Sequence, residues 1–289
     1  MLTALLRPFA YLPLWLLHGL GSALGWLVFL TSPRYRSRMR ENLLASGVCA
    51  DARECQPVLA RSVAAAGKSA LELLAIWLRP QTHILKLVPE CHGWEHVEAA
   101  QREGRGVICI TPHMGCFEIA SRYYGAFFPI TVLYRPPRLA WLEPLMLAGR
   151  KQGQVKLAST DLKGVRVLLG ALKRGEAIGI LPDQVPGAGE GVWADFFGRP
   201  AYTMTLVGRL QQATGASVLL AFGERLPHGQ GYRMRFEPLP QLSADRQQAA
   251  VQINTAIEQL VRQCPEQYLW SYNRYKVPRG TSGPLSAKP

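Results

Sequence analysis

The stretch Val107-Ile-Cys-Ile-Thr-Pro-His113-Met-Gly-Cys-Phe-Glu118 decides how this chain is read. Its first half is a short unbroken apolar run stopped by a proline, the pattern of a strand buried on both faces. A histidine follows, then a glycine that frees the turn, then a carboxylate five residues after the histidine. Residues five apart on one continuous helix sit about 140° apart and do not meet. They can meet if His113 lies in the turn after the strand and Glu118 in the helix beyond. The arrangement predicted is strand, turn, helix, with an imidazole oriented and made more basic by a carboxylate. Such a base removes a proton from a hydroxyl attacking an acyl carbonyl.

Outward from this stretch, short apolar runs alternate with helical segments. Strands are predicted at 106–111, 129–134, 177–181 and 217–222, with a later one at 232–236. Between and after them, helical periodicity covers 94–103, 140–153, 162–174, 205–214 and 244–262, and a long helix spans 58–78 with Pro57 and Pro80 as punctuation. This alternation predicts an α/β fold, a central sheet with helices packed on it. After residue 40 no change of composition divides the remainder.

The chain has 289 residues, is 48% hydrophobic and only 18% charged, which excludes a disordered chain. Its 33 Lys+Arg against 20 Asp+Glu give a net charge of +13, pointing to an anionic partner: nucleic acid, an anionic membrane surface or a phosphorylated substrate. Arg7, Arg34, Arg36, Arg38 and Arg40, with no acid among the first forty residues, concentrate that charge at the front. Between Arg7 and Arg34 no residue is formally charged. The segment 9–30 would be about 33 Å long as a helix, enough for a hydrocarbon core of about 30 Å. Pro13, His18 and three glycines weaken it as a spanning helix, so an interfacial hairpin is the alternative. Gly21-Ser-Ala-Leu-Gly25 would permit close approach of another helix. The arginines after the run place the bulk of the chain in the cytoplasm. Scattered basic residues without zinc-finger spacing fit nucleic acid poorly.

Several motif matches fail on context. Ala66-Gly67-Lys68-Ser69 contains the G-K-S of a phosphate loop but lacks the loop's first glycine and a leading strand, so it reads as mid-helix. His92-Gly-Trp-Glu-His96 matches an inverted zinc-protease pattern, but Gly93 makes a strand-to-helix turn the better reading and leaves a metallohydrolase as a rival. No G-x-S-x-G occurs. The six cysteines have irregular spacing and no C-x-x-C pair, so free buried thiols are expected.

His113-x4-Glu118 at a strand end resembles the signature of glycerolipid acyltransferases, and the whole chain resembles the late acyltransferases of lipid A biosynthesis. Leu133-Tyr-Arg135-Pro with Glu143-Pro144 and Arg150 resembles that family's second block, and Gly179-Ile-Leu-Pro-Asp183-Gln184 its third. Gly191–Gly198 with Pro200 and Thr203, Thr214-Gly-Ala216, and Pro265–Trp270 with Arg274 and Lys276 extend the match in order. The resemblance implies one acyltransferase domain over 34–289, with a central mixed sheet flanked by helices, preceded by a membrane anchor over 1–33. It implies His113 as general base and Glu118 as its orienting partner. Arg135, Arg150 and backbone N–H groups near Gly115 would serve the oxyanion, or Arg135 a lipid phosphate, and Asp183 would position an arginine or the substrate. The acyl donor would be acyl carrier protein, less readily coenzyme A, and the acceptor a hydroxyl of a phosphorylated glycolipid at the inner membrane, with no metal or redox cofactor. Another polar lipid or small hydroxyl acceptor is the alternative, or a non-catalytic lipid-binding homologue. Where family members often carry Asn-Trp before the acid, this chain has Cys116-Phe117. The Cys116 thiol is a remote candidate for an acyl-enzyme.

Overall fold

The computed structural model describes residues 2–137 and 139–284. The chain begins with α1 (Leu2–Ala10), α2 (Leu14–Thr31), α3 (Pro33–Ala45), α4 (Ala52–Leu78) and α5 (Gln81–Lys86). Then come β1 (Glu90–His92), α6 (Trp94–Glu103), β2 (Val107–Ile110), α7 (Phe117–Tyr124), β3 (Ile130–Tyr134), α8 (Glu143–Arg150), β4 (Val155–Ser159), α9 (Leu162–Lys173) and β5 (Ala177–Ile180). The chain continues through β6 (Gly191–Phe196), β7 (Arg199–Met204), α10 (Leu206–Thr214), β8 (Ser217–Arg225), β9 (Tyr232–Pro238) and α11 (Arg246–Gln263). A seven-stranded mixed sheet runs in the order β1-β9-β8-β2-β5-β3-β4, parallel throughout except where β9 returns antiparallel beside β8.

The apolar runs are continuous because the sheet is covered on both faces. Along β2, Ile108 and Ile110 point into a core shared with Leu168, Leu210 and Ile257 of α9, α10 and α11. Val107 and Cys109 point the other way, towards Ile76 of α4, Val97 of α6 and Ile119 of α7. The predicted strands and helices all lie within a few residues of observed ones. Pro57 is inside α4 rather than before it, because Asp51 caps the helix by accepting from the N–H groups of Arg53 and Glu54. The missing Pro57 N–H then leaves only one exposed carbonyl unpaired. β1, β4 and the β6–β7 hairpin lack a sequence signal. β1 and β4 are short edge strands, and the hairpin carries Pro200, which an isolated two-stranded ribbon tolerates. The thiols also depart from expectation. Cys49 and Cys55 form a disulfide across the start of α4, with Cα atoms 5.5 Å apart, while Cys91, Cys109, Cys116 and Cys264 are free. The turn into α4 folds Cys49 back over the first helical turn.

The apolar N-terminus is two helices broken at Pro13, and α2 lies antiparallel along α4. A Cβ on Gly21 would fall 2.8 Å from the Gly67 carbonyl oxygen, one on Gly25 2.2 Å from that of Val63, and one on Gly67 1.9 Å from that of Gly21. The G-x-x-x-G of α2 and the glycine of the false phosphate loop are therefore one contact, with backbone against backbone. Beside it, His18 Nε2 lies 3.2 Å from Glu72 Oε2 in the interior. Glu72 also accepts from the Tyr232 hydroxyl at 3.0 Å and from Arg225, Nε to Oε2 at 2.8 Å and Nη2 to Oε1 at 2.6 Å.

Burial alone would raise the Glu72 carboxyl, but the Arg225 charge and its hydrogen bonds outweigh it and hold the group down at about 2. A depressed carboxyl contributes stability that is full above its unfolded value of about 4.3 and is lost as pH falls through the folded value. Glu72→Gln leaves Arg225 buried without its anion and should cost about 3–5 kcal/mol. Denaturant midpoints measured across the acid range check this. The wild type should lose stability towards acid more steeply than Glu72→Gln, and equal slopes would count against the assignment.

Candidate active site

Parallel strands β2 and β5 pair in register, Cys109 with Gly179 and Ile110 with Ile180. The Thr111 N–H extends the ladder to the Ile180 carbonyl at 3.0 Å. His113 and Asp183, each three residues beyond that last pair, leave the sheet side by side at its carboxyl edge, where open α/β sheets bind ligands. Asp183 Oδ2 accepts from the His113 backbone N–H at 2.9 Å, and its Oδ1 lies 2.8 Å from His113 Nδ1. A buried carboxylate at Nδ1 assigns the proton to that nitrogen and leaves Nε2 as the basic one. Nε2 faces the Gln184 amide nitrogen at 3.0 Å, so an incoming hydroxyl would displace Gln184. Burial would raise the Asp183 carboxyl, but the His113 charge and the two hydrogen bonds from His113 outweigh it and leave the carboxyl below its ordinary value.

Glu118 is buried in the first turn of α7, where its carboxylate accepts from Trp77 Nε1 at 3.0 Å and from Arg150 through both Nε, at 2.9 Å, and Nη2. It makes no hydrogen bond to His113. The contact expected between Glu118 and His113 is not made: the helix turns Glu118 towards α4 and α8, and Asp183 occupies Nδ1. The Arg150 guanidinium loses hydration by burial, but the Glu118 charge more than restores its protonated form. Arg122, buried on α7, donates to the carbonyls of Ile76 and Gly149 and to the side chains of Gln81 and Gln152, which locks α7 against α4, α5 and α8. Arg135 is exposed just beyond β3.

The turn carrying His113 is held from three sides. Gly115 has φ +56°, and a Cβ there would fall 2.2 Å from the Gly223 carbonyl oxygen of β8. The Gly115 carbonyl accepts from Arg225 Nη2 at 3.2 Å and from the Ser69 hydroxyl at 3.4 Å. The Gly115 and Cys116 N–H groups donate to the carbonyls of Gln267, 3.0 Å, and Gly223, 2.8 Å, so these two are not open to an oxyanion as expected. The Leu269 N–H donates to the His113 carbonyl at 3.0 Å, which explains why the aromatic tail belongs to the fold. The Cys116 thiol is buried, and burial with the nearby Glu72 charge pushes it well above its usual value. This disfavours the thiolate that an acyl-enzyme would need.

A narrow, mostly apolar crevice lies between α7 and the sheet. Phe117, Ala120 and Tyr124 of α7 form one wall, and Cys109, Val132 and Gly179 of the sheet form the other. Glu118 and Arg150 also line it. Gly179 contributes no side chain to the sheet wall, and a Cβ there would press on Val132 Cγ2 at 3.2 Å. His92 and His96 lie at the end of β1 and on α6, either side of the turn that the sequence predicts.

Of the residues expected from sequence, the structure joins His113 to Asp183 and Glu118 to Arg150. Gln184 follows Asp183 in the third family block, and nothing in that block marks it as the partner of His113. Trp77 falls within the helical pattern of 58–78, and nothing in its spacing marks it as the donor to Glu118. Glu72 and Arg225, separated by 153 residues, carry no local signal at all.

Comparison with known proteins identifies the family. The family described as bacterial lipid A biosynthesis acyltransferase matches residues 1–277. The chain is 29% identical over 269 residues to the lipid A biosynthesis palmitoleoyltransferase of Escherichia coli (strain K12), covering 92% of this chain and 87% of that protein. It is 28% identical over 274 residues to the lipid A biosynthesis lauroyltransferase of the same organism, at the same coverage. It is 27% identical over 262 residues to a lipid A biosynthesis acyltransferase of Haemophilus influenzae, covering 90% of this chain and 82% of that protein. The chain belongs to the bacterial lipid A biosynthesis acyltransferase family and is an acyltransferase.

Proposed function

We propose that this enzyme moves a fatty acyl chain from the thioester of acyl carrier protein to a hydroxyl of a phosphorylated glycolipid, a lipid A precursor, with His113 as general base. The observation that carries the reading is an imidazole whose Nδ1 is held by a buried aspartate while Nε2 meets the displaceable side-chain amide of Gln184. His113 Nε2 takes the proton of the acceptor hydroxyl as its oxygen attacks the thioester carbonyl. Asp183 keeps the imidazole in the working tautomer and stabilises the imidazolium. The tetrahedral oxyanion collapses, expels the carrier's thiolate, and that sulfur takes the proton from Nε2. Glu118 does not serve as the second member of a dyad with His113. It fixes Arg150, whose Nη1 remains uncommitted to Glu118 and can face the oxyanion together with the first-turn N–H groups of α7. Arg135, exposed beyond the site, is suited to a phosphate of the acceptor. The acyl chain occupies the crevice under α7. The domain beyond residue 33 carries the chemistry, the apolar N-terminus meets the inner membrane, and the net charge of +13 favours an acidic carrier and a phosphorylated lipid.

Three measurements test this. Enzyme incubated with acyl carrier proteins of different chain length and a tetra-acylated lipid A precursor should yield a lipid heavier by one acyl group. His113→Ala should lower the rate by about 10²–10⁴-fold while the protein stays folded. An unchanged lipid mass with every donor, or full activity in His113→Ala, would reject the proposal. Gly179→Val, or Ala120→Leu from the opposite wall, should shift the preferred donor to shorter chains. Each methylene denied its burial costs about 0.8 kcal/mol, roughly fourfold in kcat/KM. An unaltered chain-length profile in both variants would place the acyl chain elsewhere.

A further inference from the structure

The two faces of α2 have opposite fates. Leu14, Leu17, His18, Gly21, Gly25 and Phe29 are buried. Trp15, Leu20, Trp26, Leu27 and Leu30 on the other side are exposed, the last three at 38%, 58% and 63%. Of the fifteen large apolar side chains exposed on the described residues, eight fall between Phe9 and Leu30, so this is a continuous patch rather than scattered surface hydrophobes.

Length and composition alone allow α2 to span a bilayer, but its packing does not. The helix is fastened along α4 at three successive levels, His18 to Glu72, Gly21 to Gly67 and Gly25 to Val63. Below Gly21, Arg79 Nε and Nη2 hold the carbonyls of Ala10 and Leu12 at 2.7 Å each, and Trp15 sits against Gly229 of the β8–β9 loop. On its other sides α4 belongs to the catalytic body, through Ser69 to Gly115 and Trp77 to Glu118. A crossing α2 would either drag α4, with Arg61, Lys68 and Glu72, into hydrocarbon, or tear open the glycine contact and leave Glu72 without His18. Both options place charge or unpaired polar groups in an apolar medium.

We propose that α2 lies in the plane of a single anionic leaflet, with its outer face sunk to the depth of the acyl-chain boundary and the catalytic body on the same side. A lipid surface fits this face better than a second copy of the chain does. The patch runs directly into α3, where Arg34, Arg36, Arg38 and Arg40 follow within a few residues, and Arg36 Nη1 donates to the carbonyl of Leu30 at 3.4 Å. Pairing two such faces would bring like charges together, whereas lipid phosphates neutralise them. Tryptophans on the face suit the headgroup boundary. The chain of bonds from His18 through Glu72 and Arg225 to the Gly115 carbonyl then ties the platform directly to the turn that holds His113.

The test uses the full chain and sealed vesicles of phosphatidylglycerol and phosphatidylethanolamine that contain no acceptor lipid, so its result does not depend on the proposed reaction. Tyr11→Cys and Thr31→Cys, near opposite ends of the segment, are each labelled with a dithionite-sensitive fluorophore and bound to the vesicles. Dithionite added outside should bleach both labels completely. Protection of either one would mean a crossing helix and would overturn the inference. Leu20→Glu/Leu27→Glu should abolish co-sedimentation with the vesicles at unchanged Tm. Retained binding in that variant, or a stable dimer that it dissolves in the absence of lipid, would also overturn it.

Discussion

The parallel pairing of Ile110 with Ile180 is the constraint from which the chemistry follows. Because β2 and β5 are adjacent and in register, equal steps past their ends bring His113 and Asp183 together, 2.8 Å apart. A slip of one residue would turn alternate side chains to the wrong face of the sheet and separate the pair. The buried runs on both strands prevent that slip, since Ile108, Ile110, Ile178 and Ile180 fill one face and Cys109 and Gly179 the other. The same register places Gly179 in the wall of the apolar crevice, so base and crevice share one pair of strands.

A second constraint works on the turn itself. Gly115 can approach β8 only because it has no side chain, and its carbonyl is then captured by Arg225. Arg225 in turn is neutralised by Glu72 on α4, which also receives His18 from α2. Buried ion pairs of this kind contribute little net stability compared with apolar packing, yet breaking one is costly. Its effect here is to make the N-terminal helices, the long α4 and the catalytic turn one mechanical unit. Arg122 does the same for α7, α5 and α8.

Local physics accounts for what the sequence disclosed. The strands were legible because runs such as Val107–Ile110 are buried on both faces and stopped by Pro or Gly. The helix over 94–103 was legible from its 3.6-residue period. β4 and the β6–β7 hairpin were not, because an edge strand or a two-stranded ribbon has only a partly buried face and weak alternation. For the site, His113, Glu118, Arg150 and Asp183 could be named, but their pairing could not. Spacing along one segment suggested Glu118 for His113, whereas the true neighbour comes from a strand seventy residues on. Register between non-consecutive parallel strands leaves no mark in the intervening sequence. The Gly21-x-x-x-Gly25 match and the failed phosphate loop at Gly67 illustrate the converse: each was weak alone, and they turn out to be two halves of one helix contact.

The central claim is that Asp183, not Glu118, governs the protonation of His113. Nitrogen NMR of the His113 side chain tests it directly, in the wild type and in Asp183→Asn and Glu118→Gln. The account predicts that the His113 proton facing Asp183 sits on Nδ1 in the wild type, with that arrangement kept in Glu118→Gln and lost in Asp183→Asn. A tautomer that survives Asp183→Asn but is lost in Glu118→Gln would contradict it.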